Sequence, residues 1–339
     1  MITISHPLIA QHFAFSYGRL GVLQRYLLDE TDKDRLLGSR TIEEAEHILM
    51  ELSCTGVIDQ GLSHFEDILS ALEQWVQHEV QIAALQQKKH IFDIVWLEGD
   101  KVLLSFLYKQ ERGWVKDTGR KLLSGISVFS EEELRAVMHG ERRDTFPKEL
   151  ASCMAALRVQ DSCTPAEIDA AVADAVARIQ VRLAEESGSK DILAYTRLRI
   201  DLTNLRTALR VLQGTITPPF SFLFGGTLEE SALETNAIAS LQGAVDRSAF
   251  GYHMPHSLDF LVENPLLFEQ DISHVIAGYI APMWNKALSI EPLFAFAVTV
   301  LSQLNFLRSL FIAKRNNLPA EELREMLPRF LSGSHYVSA

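Results

Sequence analysis

Cysteine, glycine and proline are scarce in this 339-residue chain, which has 3 Cys, 18 Gly and 11 Pro. The three cysteines, Cys54, Cys153 and Cys163, are odd in number and have no metal-type spacing. This argues against a disulfide framework and is typical of buried thiols in a reducing cytosol. Few glycines and prolines leave little material for long loops, so helix is the expected structure.

Basic residues are also few: the chain has 32 Lys and Arg but 44 Asp and Glu, which gives a net charge of −12. Nucleic-acid binding depends on clustered cationic side chains that contact phosphates, and the best cluster, around Arg142 and Arg143, is short. We therefore expect no nucleic-acid role. A negative surface instead suits a protein partner that carries complementary basic patches.

Patterns for nucleotide binding and catalysis are missing as well: no Walker A loop, HExxH pair or G-x-S-x-G elbow occurs. The acidic run Asp29–Asp34 would need a second, facing acidic cluster to hold magnesium, and a solvated helix end is the plainer interpretation. His253 and His256 lack further metal ligands. We predict no catalytic, cofactor-binding or metal-binding residues.

One stretch, Leu293–Ala313, is apolar enough to suggest a membrane span. It contains Ser302, Gln303, Asn305 and Arg308, which are costly in hydrocarbon. A helix buried in a protein core is therefore favoured. The first residues also lack the basic-then-apolar order of a signal peptide. The protein can meet a membrane complex, but we expect that it does not cross the bilayer.

Helix starts recur along the chain as capping boxes, in which Ser or Thr and a Glu three residues later satisfy free backbone N–H groups. Apolar residues with helical spacing follow two of them, after Ser63 and after Thr164. The predicted boxes are Thr41–Glu44, Ser63–Glu66, Ser130–Glu133, Thr164–Glu167 and Thr227–Glu230, and the stripes are Ile68, Leu72, Trp75, Val76, Val80 and Ile168, Val172, Val176, Ile179, Leu183.

Residues 91–108 are ambiguous, because two apolar runs, Ile91–Leu97 and Val102–Tyr108, flank Glu98-Gly99-Asp100. A β-hairpin is possible on local grounds. A lone hairpin is only marginally stable, however, and no other strand candidates are present. We therefore predict two helices broken at Gly99.

The sequence contains a weak internal repeat. Leu103, Leu205 and Leu307 lie 102 residues apart, and each is followed by similar residues and then by an acidic helix start. Such a repeat predicts three related helical units, approximately 1–125, 126–225 and 226–339, with interleaved boundaries. Chance likeness among leucine-rich helices is the alternative.

Four segments of the sequence form a recognisable set: Tyr17–Leu28, Thr164–Arg210, Phe222–Leu228 and Leu288–Leu327. The most specific pattern contains Asp201, Asn204, Leu205 and Arg206, and it is accompanied by the double glycine at 225–226 and the Glu-Pro start of the last long helix. Together these segments resemble the C subunit of V/A-type rotary ATPases, called subunit d in eukaryotes.

This resemblance implies an all-α fold of three pseudo-equivalent helical units, arranged as a funnel around a central depression. It implies a non-catalytic subunit without cofactors that links the central shaft to the membrane c-ring and transmits rotation in a proton or sodium pump or an ATP synthase. A helical scaffold of other purpose is the alternative. A magnesium-dependent helical enzyme is a further one.

Four charged residues in or beside apolar runs are candidates for partner binding: Arg206, Arg210, Glu291 and Arg308. If they line the depression, charge reversal at Arg206 or Arg308 should weaken binding of the shaft. A buried arginine needs a partner, so internal ion pairs with groups such as Asp201 are the alternative.

Overall fold

The computed structural model describes residues 7–84, 86–116, 123, 125–141, 146–160, 162–216, 221–234, 237–327 and 330–333. Within these ranges the chain forms helices and no strand, which confirms the all-α prediction. The helices form two compact units, residues 1–92 with 266–339 and residues 93–265, named here the terminal unit and the central unit. The three predicted repeat units are not tested by this division and stay a prediction.

The terminal unit combines both ends of the chain. Three short 3₁₀ helices, Gln24–Tyr26, Ser53–Val57 and Gln86–Phe92, accompany its longer elements. These are α1 (Pro7–Leu23), α2 (Glu30–Gly38), α3 (Ile42–Glu51), α4 (Phe65–Ala83), α13 (Pro265–Trp284, whose first residue closes the central unit), α14 (Glu291–Arg315) and α15 (Ala320–Met326).

The centre of the terminal unit is α14, which packs against α4 and α1. Phe311 of α14 stacks on Phe65 of α4 with their ring centroids 5.0 Å apart. Among the described residues, α14 is the one helix long and apolar enough to cross a membrane, yet 67% of its apolar window is buried. This burial fits the predicted core helix, which packs its apolar side chains inside the unit.

A buried amide ties α14 to both ends of the chain. Gln303 is 2% exposed. Its Oε1 accepts from Leu28 N at 3.0 Å, and its Nε2 donates to Leu28 O at 2.9 Å and to Leu331 O at 2.7 Å. The polar residue that argued against a membrane span thus satisfies backbone groups in the core.

The central unit is built on three long helices, α5, α8 and α9, that pack side by side. A 3₁₀ helix at Gly251–His253 connects two of its shorter helices. The helices are α5 (Asp93–Glu111), α6 (Glu131–Met138), α7 (Lys148–Val159), α8 (Pro165–Ser187), α9 (Lys190–Leu212), α10 (Glu230–Glu234), α11 (Ile238–Arg247) and α12 (Leu258–Glu263).

Polar contacts join the three long helices of the central unit. Gln180 of α8 donates to the Ile94 carbonyl at 2.8 Å and to Glu98 Oε1 at 2.9 Å. Arg199 of α9 lies 3.3 Å from the other carboxylate oxygen of Glu98. Burial alone would raise the pKa of Glu98, but the neighbouring cations Lys101 and Arg199 hold it below its usual range.

The predicted break at Gly99 is wrong, and so is the alternative hairpin, because α5 runs unbroken from Asp93 to Glu111. A Cβ at Gly99 would lie 1.6 Å from the carbonyl oxygen of Ile126. The glycine therefore permits close approach of a neighbouring segment and does not end the helix.

Three of the five predicted capping positions are confirmed. Ser130 and Thr164 form complete boxes, and Thr41 caps α3 by accepting from Glu44 N. The other two predictions are wrong, because α4 begins after His64 without a side-chain cap and α10 begins only at Glu230. The Asp29–Asp34 run starts α2 with an unpredicted box between Asp29 and Asp32.

Candidate partner-binding site

The most specific sequence pattern lies on the hairpin of α8 and α9. Gly188 ends α8 with φ +70°, and the Ser189 side chain caps α9 by accepting from Ile192 N. Asp201 and Asn204 follow on α9, where they are 1% and 4% exposed. Both side chains bond to residues 222–228, named here the double-glycine loop.

Asp201 holds one end of the double-glycine loop. Its Oδ1 accepts from Thr227 N at 2.7 Å and Leu228 N at 2.9 Å, and its Oδ2 accepts from the Thr227 hydroxyl at 2.5 Å. Burial raises the pKa of Asp201, and these hydrogen bonds oppose that rise. A Cβ at Gly226 would lie 2.2 Å from Asp201 Oδ1, so only glycine permits this contact.

Asn204 holds the other end of the loop. Its Oδ1 accepts from Leu223 N at 2.7 Å and its Nδ2 donates to Leu223 O at 3.0 Å. Leu223 packs on Ala177, Val181 and Ile200 of the hairpin. The backbone between the two attachment points is therefore fixed, with Gly225 at φ +101°.

Between these attachments the Phe224 side chain points outward and is 61% exposed. Its backbone N–H donates to Asp174 Oδ1 at 3.1 Å, while Arg178 lies 4.6 Å over its ring and pairs with Asp174 at 2.7 Å. The exposed ring is thus held in position before any partner arrives, which lowers the entropic cost of binding.

A groove of about 510 Å³ adjoins Phe224. Among the described residues its charged side chains are two arginines and two glutamates, and the described lining includes no Ser, Cys or His. No group of three metal-ligating residues occurs in the described part of the chain. The exposed Phe224 ring beside this groove suits contact with another molecule. The lining comprises Arg178, Val181, Glu185, Arg197, Asn204, Phe222, Leu223, Phe224, Gly225, Gly226, Leu228, Glu230 and Leu233.

The predicted site residues fall on two helices. Arg206 and Arg210 lie one turn apart on α9 of the central unit. Arg206 is half-buried, whereas Arg210 is exposed and makes no ion pair within the described ranges. Of this pair, Arg210 is available to a partner without breaking an internal contact.

Glu291 and Arg308 lie on α14 of the terminal unit, about 25 Å apart along the helix. Arg308 Nη2 is 2.6 Å from Glu73 Oε1, and Glu73 is itself 1% exposed. Glu291 is 8% exposed and lies 3.8 Å from Lys286 Nζ. For Arg308 the predicted internal ion pair is present, but its partner is Glu73. Asp201, proposed as such a partner, accepts from Thr227 and Leu228 instead.

Asp174, Arg178 and Phe224 were not singled out in the sequence. Asp174 and Arg178 are four residues apart on the polar face of α8 and look like an ordinary surface pair. The sequence does place an aromatic directly before two glycines, which indicates a turn, but nothing local indicates that the ring is exposed.

A comparison with protein families matches residues 17–326 to the model described as ATP synthase (C/AC39) subunit. No curated protein matches the chain. The family match covers most of the sequence and includes all four segments that carry the resemblance, apart from the last residue of Leu288–Leu327. The chain therefore belongs to the ATP synthase (C/AC39) subunit family.

Proposed function

We propose that this chain is a non-catalytic coupling subunit that links the central shaft of a rotary ATPase to its membrane c-ring and transmits rotation between them. The observation that carries the proposal is the family match over residues 17–326. In this role the chain is cytoplasmic and peripheral to the membrane, and it needs no cofactor. The transported ion is H⁺ or Na⁺.

A coupling part must be stiff, because a soft element would absorb twist. Asp100, Asp201 and Gln303 each lie buried on a long helix and bond to backbone groups of a distant segment. Each of these hydrogen bonds satisfies a buried polar side chain and a backbone group, which would be costly to leave unpaired. Displacing the distant segment from its helix is therefore energetically unfavourable. These contacts support stiffness within the central unit, through Asp100 and Asp201, and within the terminal unit, through Gln303.

The same three residues support the predicted repeat. Asp201 and Gln303 precede the buried leucines Leu205 and Leu307 by four residues, and Asp100 precedes buried Leu104 by four. Leu103, the first leucine of the internal repeat, is only half-buried. The first copy therefore aligns better with the other two when Leu104 takes its place. We therefore retain three pseudo-equivalent helical units around a central depression as part of the proposal.

The shaft contact is proposed for the charged candidates on α9. Arg210 is the strongest of the four candidates because it is exposed and has no ion-pair partner among the described residues. Arg308 is the weakest, because Glu73 already neutralises it. Phe224, held outward on the double-glycine loop, is added as a contact residue, since exposed rigid aromatics often dominate binding energy.

Co-purification from membranes tests the proposal. The tagged chain, extracted in mild detergent, is expected to bring down both shaft and c-ring subunits. Recovery of the chain by itself, under conditions that keep the rest of the complex assembled, would favour the alternative of a helical scaffold. A magnesium-dependent enzyme would instead release diphosphate in a reaction that needs Asp29.

A further inference from the structure

Asp100 attaches the segment before α6 to the middle of α5. Its side chain is 0% exposed. Its Oδ2 accepts from Val128 N at 2.7 Å, and its Oδ1 accepts from Phe129 N at 3.1 Å. Gly99, the preceding residue, has no Cβ and so permits the close approach of this backbone. One buried carboxyl therefore fastens residues 126–129, named here the pre-α6 segment, to the helix.

The charged neighbours of Asp100 are acidic. Asp93, two turns earlier on α5, and Glu133, on α6, both repel a negative charge at Asp100. No cation pairs with Asp93 or Asp100 within the described ranges. Lys101 follows Asp100 in sequence but pairs with Glu98 at 2.5 Å. An ionised Asp100 is therefore buried without a counter-ion, which is costly.

The other ion pairs between α5 and its neighbouring helices lie elsewhere along α5. The pre-α6 segment itself contains no titratable side chain. Asp93 and Glu133 are therefore the charged groups that act on Asp100 within the described part of the central unit. The remaining pairs join Glu98 to Arg199 of α9, Lys109 to Asp169 of α8, and Glu111 to Arg135 and His139 of α6.

Asp201 makes a similar attachment on α9 but has a different charged neighbour. It too is a buried aspartate that holds two backbone N–H groups of a distant segment, the double-glycine loop. Four residues before it lies Arg197, whose charge favours the ionised carboxylate, whereas Trp96 occupies the corresponding position before Asp100. Burial raises the pKa of both carboxyls, to about 6 for Asp100. The two attachments thus share their hydrogen bonding and differ in whether a nearby cation balances the charge.

We propose that the Asp100 attachment is a pH-sensitive switch, which loosens the pre-α6 segment from α5 as the pH rises toward neutrality, while the Asp201 attachment stays closed. A protonated Asp100 buries no charge, and its carbonyl oxygen still accepts a hydrogen bond. An ionised Asp100 is repelled by Asp93 and Glu133, and opening of the segment lets water reach it. Ionisation therefore favours the open state.

The sign follows from linkage. Burial makes the pKa of Asp100 higher in the closed state than in an open, hydrated state. Such a group stabilises the closed state at low pH, and this contribution is lost as the pH rises through the closed-state pKa. The switch is a property of the fold and does not rest on the proposed function.

Hydrogen–deuterium exchange of the full chain tests this, at about pH 5 and about pH 8, on either side of the closed-state pKa. Rates are corrected for the intrinsic effect of pH on amide exchange. The amides of Val128 and Phe129 report the Asp100 attachment, and those of Thr227 and Leu228 are the control within the same molecule. Two variants are compared with wild type. Asp100→Asn removes the titrating group, and Arg197→Gln removes the cation beside Asp201.

We expect protection of the Val128 and Phe129 amides to fall about tenfold from the lower to the higher pH, and protection in the double-glycine loop to change less than about twofold. Asp100→Asn should remove the pH dependence, and Arg197→Gln should confer one on the double-glycine loop. Circular dichroism shows whether Asp100→Asn folds, and Arg197→Gln keeps the test decisive if it does not. Equal pH dependence at both attachments of the wild type, none at Val128 and Phe129, or unchanged exchange in Arg197→Gln would overturn the inference.

Discussion

Buried polar side chains on long helices fasten distant segments of this chain. Asp201 accepts three hydrogen bonds from Thr227 and Leu228, and Asn204 pairs with both backbone groups of Leu223. Lys314 donates to the Ser39 carbonyl at 2.7 Å near the end of α2. Residues that carry the family resemblance therefore act largely inside the chain, where they set the position of the surfaces.

Replacing Asp201 with Ala tests this view of single residues. The change leaves the N–H groups of Thr227 and Leu228 without their acceptor, so we expect the free energy of unfolding to fall by about 1–3 kcal/mol. Urea denaturation gives the value, with exposed Asp259→Ala as the control. A loss no larger than that of the control would contradict the role given to Asp201.

Two carboxyls of α5, the half-buried Asp93 and the buried Asp100, make the stability of the fold depend on pH. Burial, with repulsion from Asp100, raises the pKa of Asp93 to about 7. Burial also raises the pKa of Asp100 to about 6, although Val128 N and Phe129 N donate to it. A raised folded-state pKa stabilises the fold at low pH, and this contribution is lost as pH rises through the folded pKa values. Stability should therefore decline from about pH 4 to pH 7 through these two groups.

Asp93→Asn removes one of these ionisations. We expect the variant to unfold at higher urea concentration than wild type at about pH 8, where Asp93 is charged, and at a similar concentration near pH 4, where it is neutral. Urea midpoints at the two pH values check this. The same shift in midpoint at both pH values would contradict the assignment.

At the scale of elements, the packing of α5 against the loop at Ile126 requires glycine at position 99. Gly99→Ala would place a methyl group 1.6 Å from Ile126 O, so helix and loop must separate. We expect a loss of about 3 kcal/mol or more in the free energy of unfolding. Gly21→Ala on α1 is the matched control, because nothing lies within 4 Å of its added Cβ, and it should gain about 0.5–1 kcal/mol. Similar urea midpoints for both variants would contradict this account.

Helices with a clear local signal were predictable from sequence. Apolar spacing identified the buried faces of α4 and α8, and the boxes at Ser130 and Thr164 identified two helix starts. The break at Gly99 was predicted wrongly, because the reason for that glycine is a contact with Ile126, 27 residues away, which local propensity does not report. The outward position of Phe224 was missed for the same reason, since Asp174 and Arg178 hold it from another helix.

At the scale of the whole molecule, the proposed shaft contact comprises the double-glycine loop with Phe224 and the exposed Arg210, both on the central unit. The contribution of Arg210 to shaft binding can be tested by reversing its charge. Arg210→Glu reverses an exposed charge that makes no ion pair within the described ranges, so the fold should be retained and binding to the shaft should weaken about tenfold. Calorimetry measures the affinity, and an unchanged value would remove Arg210 from the proposed contact.

The proposed coupling of shaft rotation to ion movement can be tested directly in lipid vesicles. The rotary complex is assembled with and without this chain, and ATP hydrolysis and ion uptake are measured in the same samples. Without the chain, hydrolysis by the catalytic head should continue while ATP-driven ion uptake is lost, and adding the chain back should restore uptake. Undiminished uptake in vesicles that lack the chain would contradict the account.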